Sequence, residues 1–167
     1  MAVYESYRSY ADNYIVALDD AGVMWETKIP GSGWGSRSIA TSDNGNTIAA
    51  LDQHSLTVCD HTGTILWNLT PEFLVSSVAV SPDGGYIALG TQYRLLYFNR
   101  TGSQLWEYSL NDYIHHIRIS EDGRNIAAVS GSTLYYLDGN GTCRWQHGKD
   151  YVPQDLSMSR RGALFTT

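Results

Sequence analysis

The sequence has little cysteine, little positive charge, and no long hydrophobic run. Its two cysteines, Cys59 and Cys143, are too few for a disulfide framework. They fall at different positions of different repeats and read as buried free thiols. Eleven Lys and Arg stand against seventeen Asp and Glu, for a net charge of -6. The basic residues are scattered, so no nucleic-acid partner is expected. No apolar stretch reaches the ~18 residues of a membrane-spanning helix, so no membrane insertion is expected. The opening MAVYESYRSY lacks the apolar core of a signal peptide. The compartment stays open between cytoplasm and extracellular surface. Amphipathic runs at a 3.6-residue period are also missing, which argues against helices.

What is present is repetition. SDNGNTIAALDQHSLTVCDHTGTILW runs from Ser42 to Trp67, and SPDGGYIALGTQYRLLYFNRTGSQLW from Ser81 to Trp106. DGRNIAAVSGSTLYYLDGNGTCRW, Asp122 to Trp145, keeps the same order, and YIVALDDAGVMW, ending at Trp25, is a weaker copy. Trp25, Trp67, Trp106 and Trp145 are spaced by 42, 39 and 39 residues. Gly22, Gly63, Gly102 and Gly141 keep a similar register, as do Asp19, Asp60, Asn99 and Asp138. A period of about 40 residues is the length of one propeller blade.

Each unit reads as four short strands, a to d, bounded by Gly, Asn, Asp and Ser clusters. In the third full unit these are His115–Ser120, Asn125–Val129, Thr133–Asp138 and Thr142–Gln146. Ile39, Val78, Ile117 and Leu156 match in register on strand a and are expected to pack between sheets. Their neighbours Ala40, Ala79 and Ser157 are small, as suits strands converging on an axis; Arg118 breaks that pattern. Arg118 and His116 are therefore candidate channel residues. The repeated Trp reads as a packing wedge whose indole N–H needs a partner if buried. The acids at 19, 60 and 138 read as caps of the turns they precede.

The expected fold is all-β, a β-propeller of four-stranded blades with four blade-equivalents in the chain. Residues 1–13 form a poorly patterned N-terminal segment, and residues 14–167 carry the repeats. The last unit stops after strand b, while 14–28 supply a spare c and d. Joining 14–28 with 154–167 completes a split blade and removes unpaired edges. Within one chain this gives four blades; between two chains it gives an eight-bladed ring, and a homodimer is the favoured expectation. ESYRSYA also claims the strand b slot that ALFTT would fill, and both cannot occupy it.

The chain resembles the β-propeller repeat superfamily, with WD40-like and quinoprotein-like (PQQ-like) blades of the kind found in prokaryotic and archaeal surface proteins. SPDGGYIALG at Ser81–Gly90 is similar to the a–b turn and strand b of such repeats. LYYLDGNGTCRW at Leu134–Trp145 is similar to the quinoprotein-like ending. No Trp-Asp dipeptide closes a strand, since the units end MWE, LWN, LWE and RWQ. No residues carry over to a quinone cofactor or its metal, so no cofactor and no metal site are expected.

The resemblance implies that d–a and b–c loops share one mouth of the scaffold, where function usually sits. Trp34, Phe73, Asp112 and Tyr151 occupy matching d–a positions, with Tyr113 beside them. The b–c loops add Gln53, His54, Tyr93 and Arg94. Three aromatics at matched positions suit a peptide hot spot or a sugar platform, and equally a seal over the inter-blade core. No nucleophile elbow, phosphate loop or metal-spaced His cluster is present. The expectation is a non-enzymatic scaffold that binds a protein or peptide at this mouth. The alternatives are a carbohydrate-binding propeller and a self-assembling fragment with no ligand.

Overall fold

A computed structural model describes residues 2–9, 12–30 and 38–166. They form five antiparallel sheets. The first holds β1 (Ala2–Ser9), β2 (Asp12–Asp19) and β3 (Gly22–Ile29). The second holds β4 (Ser38–Thr41), β5 (Ile48–Asp52), β6 (Ser55–Cys59) and β7 (Ile65–Leu69). The third holds β8 (Val75–Val80), β9 (Tyr86–Thr91), β10 (Arg94–Asn99) and β11 (Gln104–Ser109). The fourth holds β12 (Ile114–Ile119), β13 (Asn125–Ser130), β14 (Thr133–Asp138) and β15 (Cys143–Gly148). The last pair is β16 (Leu156–Met158) and β17 (Leu164–Thr166). Each four-stranded sheet is a simple meander.

These are the expected strands a to d, with one addition. The spacing predicts sixteen strands; β1 is the seventeenth. It pairs with β2 from Ala2↔Leu18 to Ser9↔Asp12, beside strand c of the first sheet. That is the slot the split-blade reading assigns to β17. The alternation of Tyr and Ser in β1 marks no clear buried face, but the free edge of β2 offers backbone partners regardless of side chains. Among the described residues no strand pairing joins the first sheet to the last.

Burial follows position in the sheet. Strands β5 and β6 are buried at every residue, and β9 at all but its first. A neighbouring sheet covers each of their faces, which is why their sequences are nearly continuous apolar runs. The outer strands β7 and β11 alternate between exposed and half-buried. Ile117 and Leu156 are wholly buried and Val78 nearly so. One core, between the third and fourth sheets, gathers Tyr97, Leu110, Ile114, Ile117, Ile126 and Leu137.

Two kinds of contact lock successive sheets. The first uses the repeated Trp. A β-bulge lies immediately before it in each c–d pairing, as between Val58↔Trp67 and Cys59↔Ile65 or between Tyr97↔Trp106 and Phe98↔Gln104. The extra residue lets the strand re-aim the ring. Trp25 Nε1 donates to the His61 carbonyl at 2.8 Å, Trp67 to Arg100 at 2.8 Å, and Trp106 to Gly139 at 3.0 Å. Each acceptor lies in the c–d turn of the following sheet. Each indole also lies flat on that turn's glycine. A Cβ on Gly102 (φ +86°) would stand 2.9 Å from Trp67, and one on Gly141 2.8 Å from Trp106.

The second lock reaches the a–b turn of the following sheet. Thr47 Oγ1 donates to the Gly84 carbonyl at 2.9 Å, Tyr97 to Gly123 at 2.8 Å, and Tyr136 to Gly162 at 2.8 Å. Backbone bonds reinforce two of these steps, Asp43 N–H to Pro82 and Glu121 N–H to Arg160. The step between them places Pro82 at the donor position, and proline has no N–H to give.

Candidate functional site

The b–c and d–a loops do lie together, because their backbones hydrogen-bond. Val75 N–H donates to the Gln53 carbonyl, Gln92 to Leu74, Leu110 to Tyr93, Gly131 to Tyr113, and Lys149 to Ser132. Ser130 adds a side-chain bond to the Asp112 carbonyl at 2.6 Å. Loop residues at this end are thus held on a stitched platform. A bulge at the start of strand a recurs here, between Val75 and Ser77 and between Ile114 and His116.

The structure sorts the candidate residues. Tyr93, Tyr113 and Tyr151 are exposed, at 47, 36 and 54 %. Leu74 and Val152 add exposed apolar surface at the same end. The Tyr93 hydroxyl accepts from the Gln92 amide at 2.9 Å, and Tyr113 packs on His115 with ring centroids 5.6 Å apart. Phe73 is half-buried, with the Arg94 guanidinium 5.2 Å above its ring. Arg94 in turn pairs with Glu107 at 3.1 Å. One face of Phe73 is therefore taken, and the two residues line a cleft of about 320 Å³ together with Glu107 and Thr91. Asp112 turns its carboxylate to the Tyr113 N–H at 2.7 Å and lies against Gly131, so it acts within the loop. His54 is exposed on its turn. Trp34 lies outside the described residues.

Arg118 and His116 sit on β12. Arg118 is half-exposed and lies 3.7 Å from Asp155. Burial, then the nearby Arg118 charge, lowers the His116 pKa below its usual 6.5, with Asp155 opposing. His115 is exposed and is the extra residue of the bulge between Ile114 and His116. Among the described residues no three His, Cys, Asp or Glu side chains gather in a metal-binding group. Cys59 is buried and free, and burial pushes its thiol up to about 12. Cys143 is also free, but it is only half-buried and not buried as expected, because it opens the outer strand β15.

The acids before the c–d turns are spent on those turns. Asp138 accepts from the N–H groups of Asn140 and Thr142, and Asp60 from Thr62 and Thr64. The Thr62 hydroxyl, which also donates to Asp60 at 2.6 Å, and then these N–H bonds hold Asp60 below the usual range, and the Thr142 N–H leads in doing the same for Asp138. The signal that sequence reading missed is the acceptor of each indole. It is a backbone carbonyl and carries no residue preference, although its neighbour is the repeated glycine.

Repeated antiparallel sheets, the first three each locked to the next through one tryptophan, define a blade-repeat protein of the β-propeller superfamily. The chain belongs to the PQQ_2 family, described as outer membrane protein assembly factor BamB, whose model matches residues 11–165. That membership and the repeated four-stranded sheets make it a propeller-like repeat protein. No curated protein matches the chain in sequence. Among solved structures it is similar to Kuenenia stuttgartiensis hydrazine synthase, at 20 % identity and a TM-score of 0.67. The match covers 77 % of this chain and 40 % of that one, and at this identity it speaks for the fold alone.

Proposed function

We propose that the loop end of the sheets is the docking surface for a segment of another polypeptide. The observation that carries this is the set of exposed rings, Tyr93, Tyr113 and Tyr151, beside Leu74 and Val152 on a backbone-stitched platform. Tyrosines on rigid loops bring large contact area at low entropic cost, and such rings dominate binding hot spots. The polar rim comes from Arg94, Glu107 and His54. A sugar platform is supported less well: it needs a bare aromatic face with polar groups around it, and Phe73 carries Arg94 on its ring. The family's description, an assembly factor for outer membrane proteins, accords with a scaffold that holds another polypeptide.

The test is selection from a phage-displayed random peptide library on the purified chain, followed by NMR shift mapping of the selected peptides. The expected result is shifts confined to residues 73–75, 92–94, 111–115 and 150–153, and loss of binding in Tyr93→Ser/Tyr151→Ser. Shifts elsewhere, or binding unchanged in that variant, overturn the reading. Binding on a glycan array that peptides cannot compete away would favour the sugar reading.

A further inference from the structure

The interface between the first and second sheets is built from smaller and more polar side chains than the next one. In the second and third sheets, Val58 and Tyr97 lie opposite the repeated Trp. The strand residues on either side of them point to the other face, toward the preceding sheet. In the third sheet these are Leu96 and Phe98, with Leu89 paired to Leu96, and all three join the core shared with the second sheet. The second sheet has Thr57, Cys59 and Ala50 at the same places. Cys59 and Ala50 lie in the core shared with Ile15 and Ile29 of the first sheet. Thr57, paired with Ala50 and two residues from Cys59, faces the same way. It is 1 % exposed, and its hydroxyl oxygen has no hydrogen-bond partner among the described residues. Asn13 lies on β2 two residues before Ile15, hence on the same face, and is 6 % exposed. Its Oδ1 has no partner either. Ser55 and Asp52 add buried polar side chains to this layer: Ser55 donates to the Pro30 carbonyl at 3.4 Å, and Asp52 engages a partner of its own. No other interface holds an unpartnered buried side-chain oxygen among the described residues.

We propose that this interface is a binding site for an internal water molecule, which donates one hydrogen to Asn13 Oδ1 and the other to Thr57 Oγ1. Interior water needs polar partners and room. The two oxygens are the partners, one from each sheet. Room follows from the exchange of Leu89, Leu96 and Phe98 for Ala50, Thr57 and Cys59 at matched places. A buried oxygen left without a partner costs more than a made bond contributes, so the fold gains by admitting a donor. A hard cation fits less well, since it asks for about six oxygen ligands. Two uncharged acceptors suit a molecule with two hydrogens to give. The water takes the place of apolar contact between the first two sheets, and it ties strand c of one to strand c of the other.

Urea unfolding of the full chain tests this with Thr57→Val and Asn13→Leu, singly and together. Valine keeps the shape of threonine and loses the hydroxyl. A hydroxyl that binds water is missed when it goes, so the Thr57→Val midpoint should fall by roughly 0.5 M. A hydroxyl with no partner would be better removed, and the midpoint would rise. The double variant should lose less than the sum of the single losses, because removal of either oxygen already releases the water. Rotating-frame NMR should show a water contact at the Thr57 amide of the wild-type chain, and none at that amide in Thr57→Val. Exchange of sodium for choline at constant ionic strength should leave the wild-type midpoint where it is. A Thr57→Val midpoint that rises or stays level overturns the proposal, as do additive losses or the absence of the water contact. A midpoint that follows the cation overturns it too, and assigns the site to an ion.

Discussion

The Arg160 guanidinium pairs with the Asp43 carboxylate, although 117 residues separate them. Arg160 belongs to the last a–b turn and Asp43 to that of the second sheet. Arg160 also lies 3.7 Å from Glu121, in the turn of the fourth sheet. Turns of sheets distant in sequence thus converge at one end, opposite the stitched loops. The pair is well exposed on both sides, at 65 and 54 %. Exposed ion pairs contribute little because water screens them and long side chains lose entropy. Arg160→Ala should therefore cost less than about 1 kcal/mol in urea unfolding. A larger loss would mean that the turn cluster depends on this contact for its geometry.

Trp106 and Trp145 have equivalent positions and different surroundings. Trp106→Ala removes a ring sandwiched between Tyr97 and Gly141 and should cost about 3 kcal/mol or more. Trp106→Phe loses the bond to the Gly139 carbonyl and should cost about 1 kcal/mol. Trp145→Ala, measured at concentrations where the chain is monomeric, should cost far less than Trp106→Ala. Chemical unfolding of the three variants side by side checks the order.

Gly102→Ala should be among the costliest small substitutions. The backbone at φ +86° disfavours any Cβ, and the new methyl would lie 2.9 Å from the Trp67 ring. Backbone strain of this kind costs about 1–3 kcal/mol, and displacement of the indole adds to it. Pairing with Trp67→Ala gives the check: the methyl then meets no ring, and the two costs should fall short of additivity.

Cys59 predicts a fall in stability at high pH. Its thiol titrates at about 12 in the fold, against an ordinary 9.0. Above pH 9 the unfolded chain releases this proton and the folded chain keeps it, so the unfolded state gains. The Cys59 contribution is complete below pH 9 and declines as pH rises toward about 12. Thermal unfolding between pH 8 and 11 should show a steeper decline in the wild-type chain than in Cys59→Ala, after allowing for the lower baseline of that variant. Equal slopes would place the thiol in a more polar setting than the structure shows.

What the sequence determined by itself is the repeat. Alternating apolar runs, turn glycines and a Trp every 39 to 42 residues define strands a to d, because strand length, turn chemistry and burial are local demands met within each unit. The turn caps at Asp60 and Asp138 were legible for the same reason: donor and acceptor lie within four residues. The tertiary structure alone decided where the indoles point. It also decided that Phe73 would be covered by Arg94 while Tyr93, Tyr113 and Tyr151 stayed open, and that β1 would take the edge of β2. These outcomes depend on backbone carbonyls, free strand edges and side chains from other sheets, none of which leaves a residue signature at its own position. A carbonyl accepts a hydrogen bond whatever side chain it carries, so its partner is chosen by packing and cannot be read from composition.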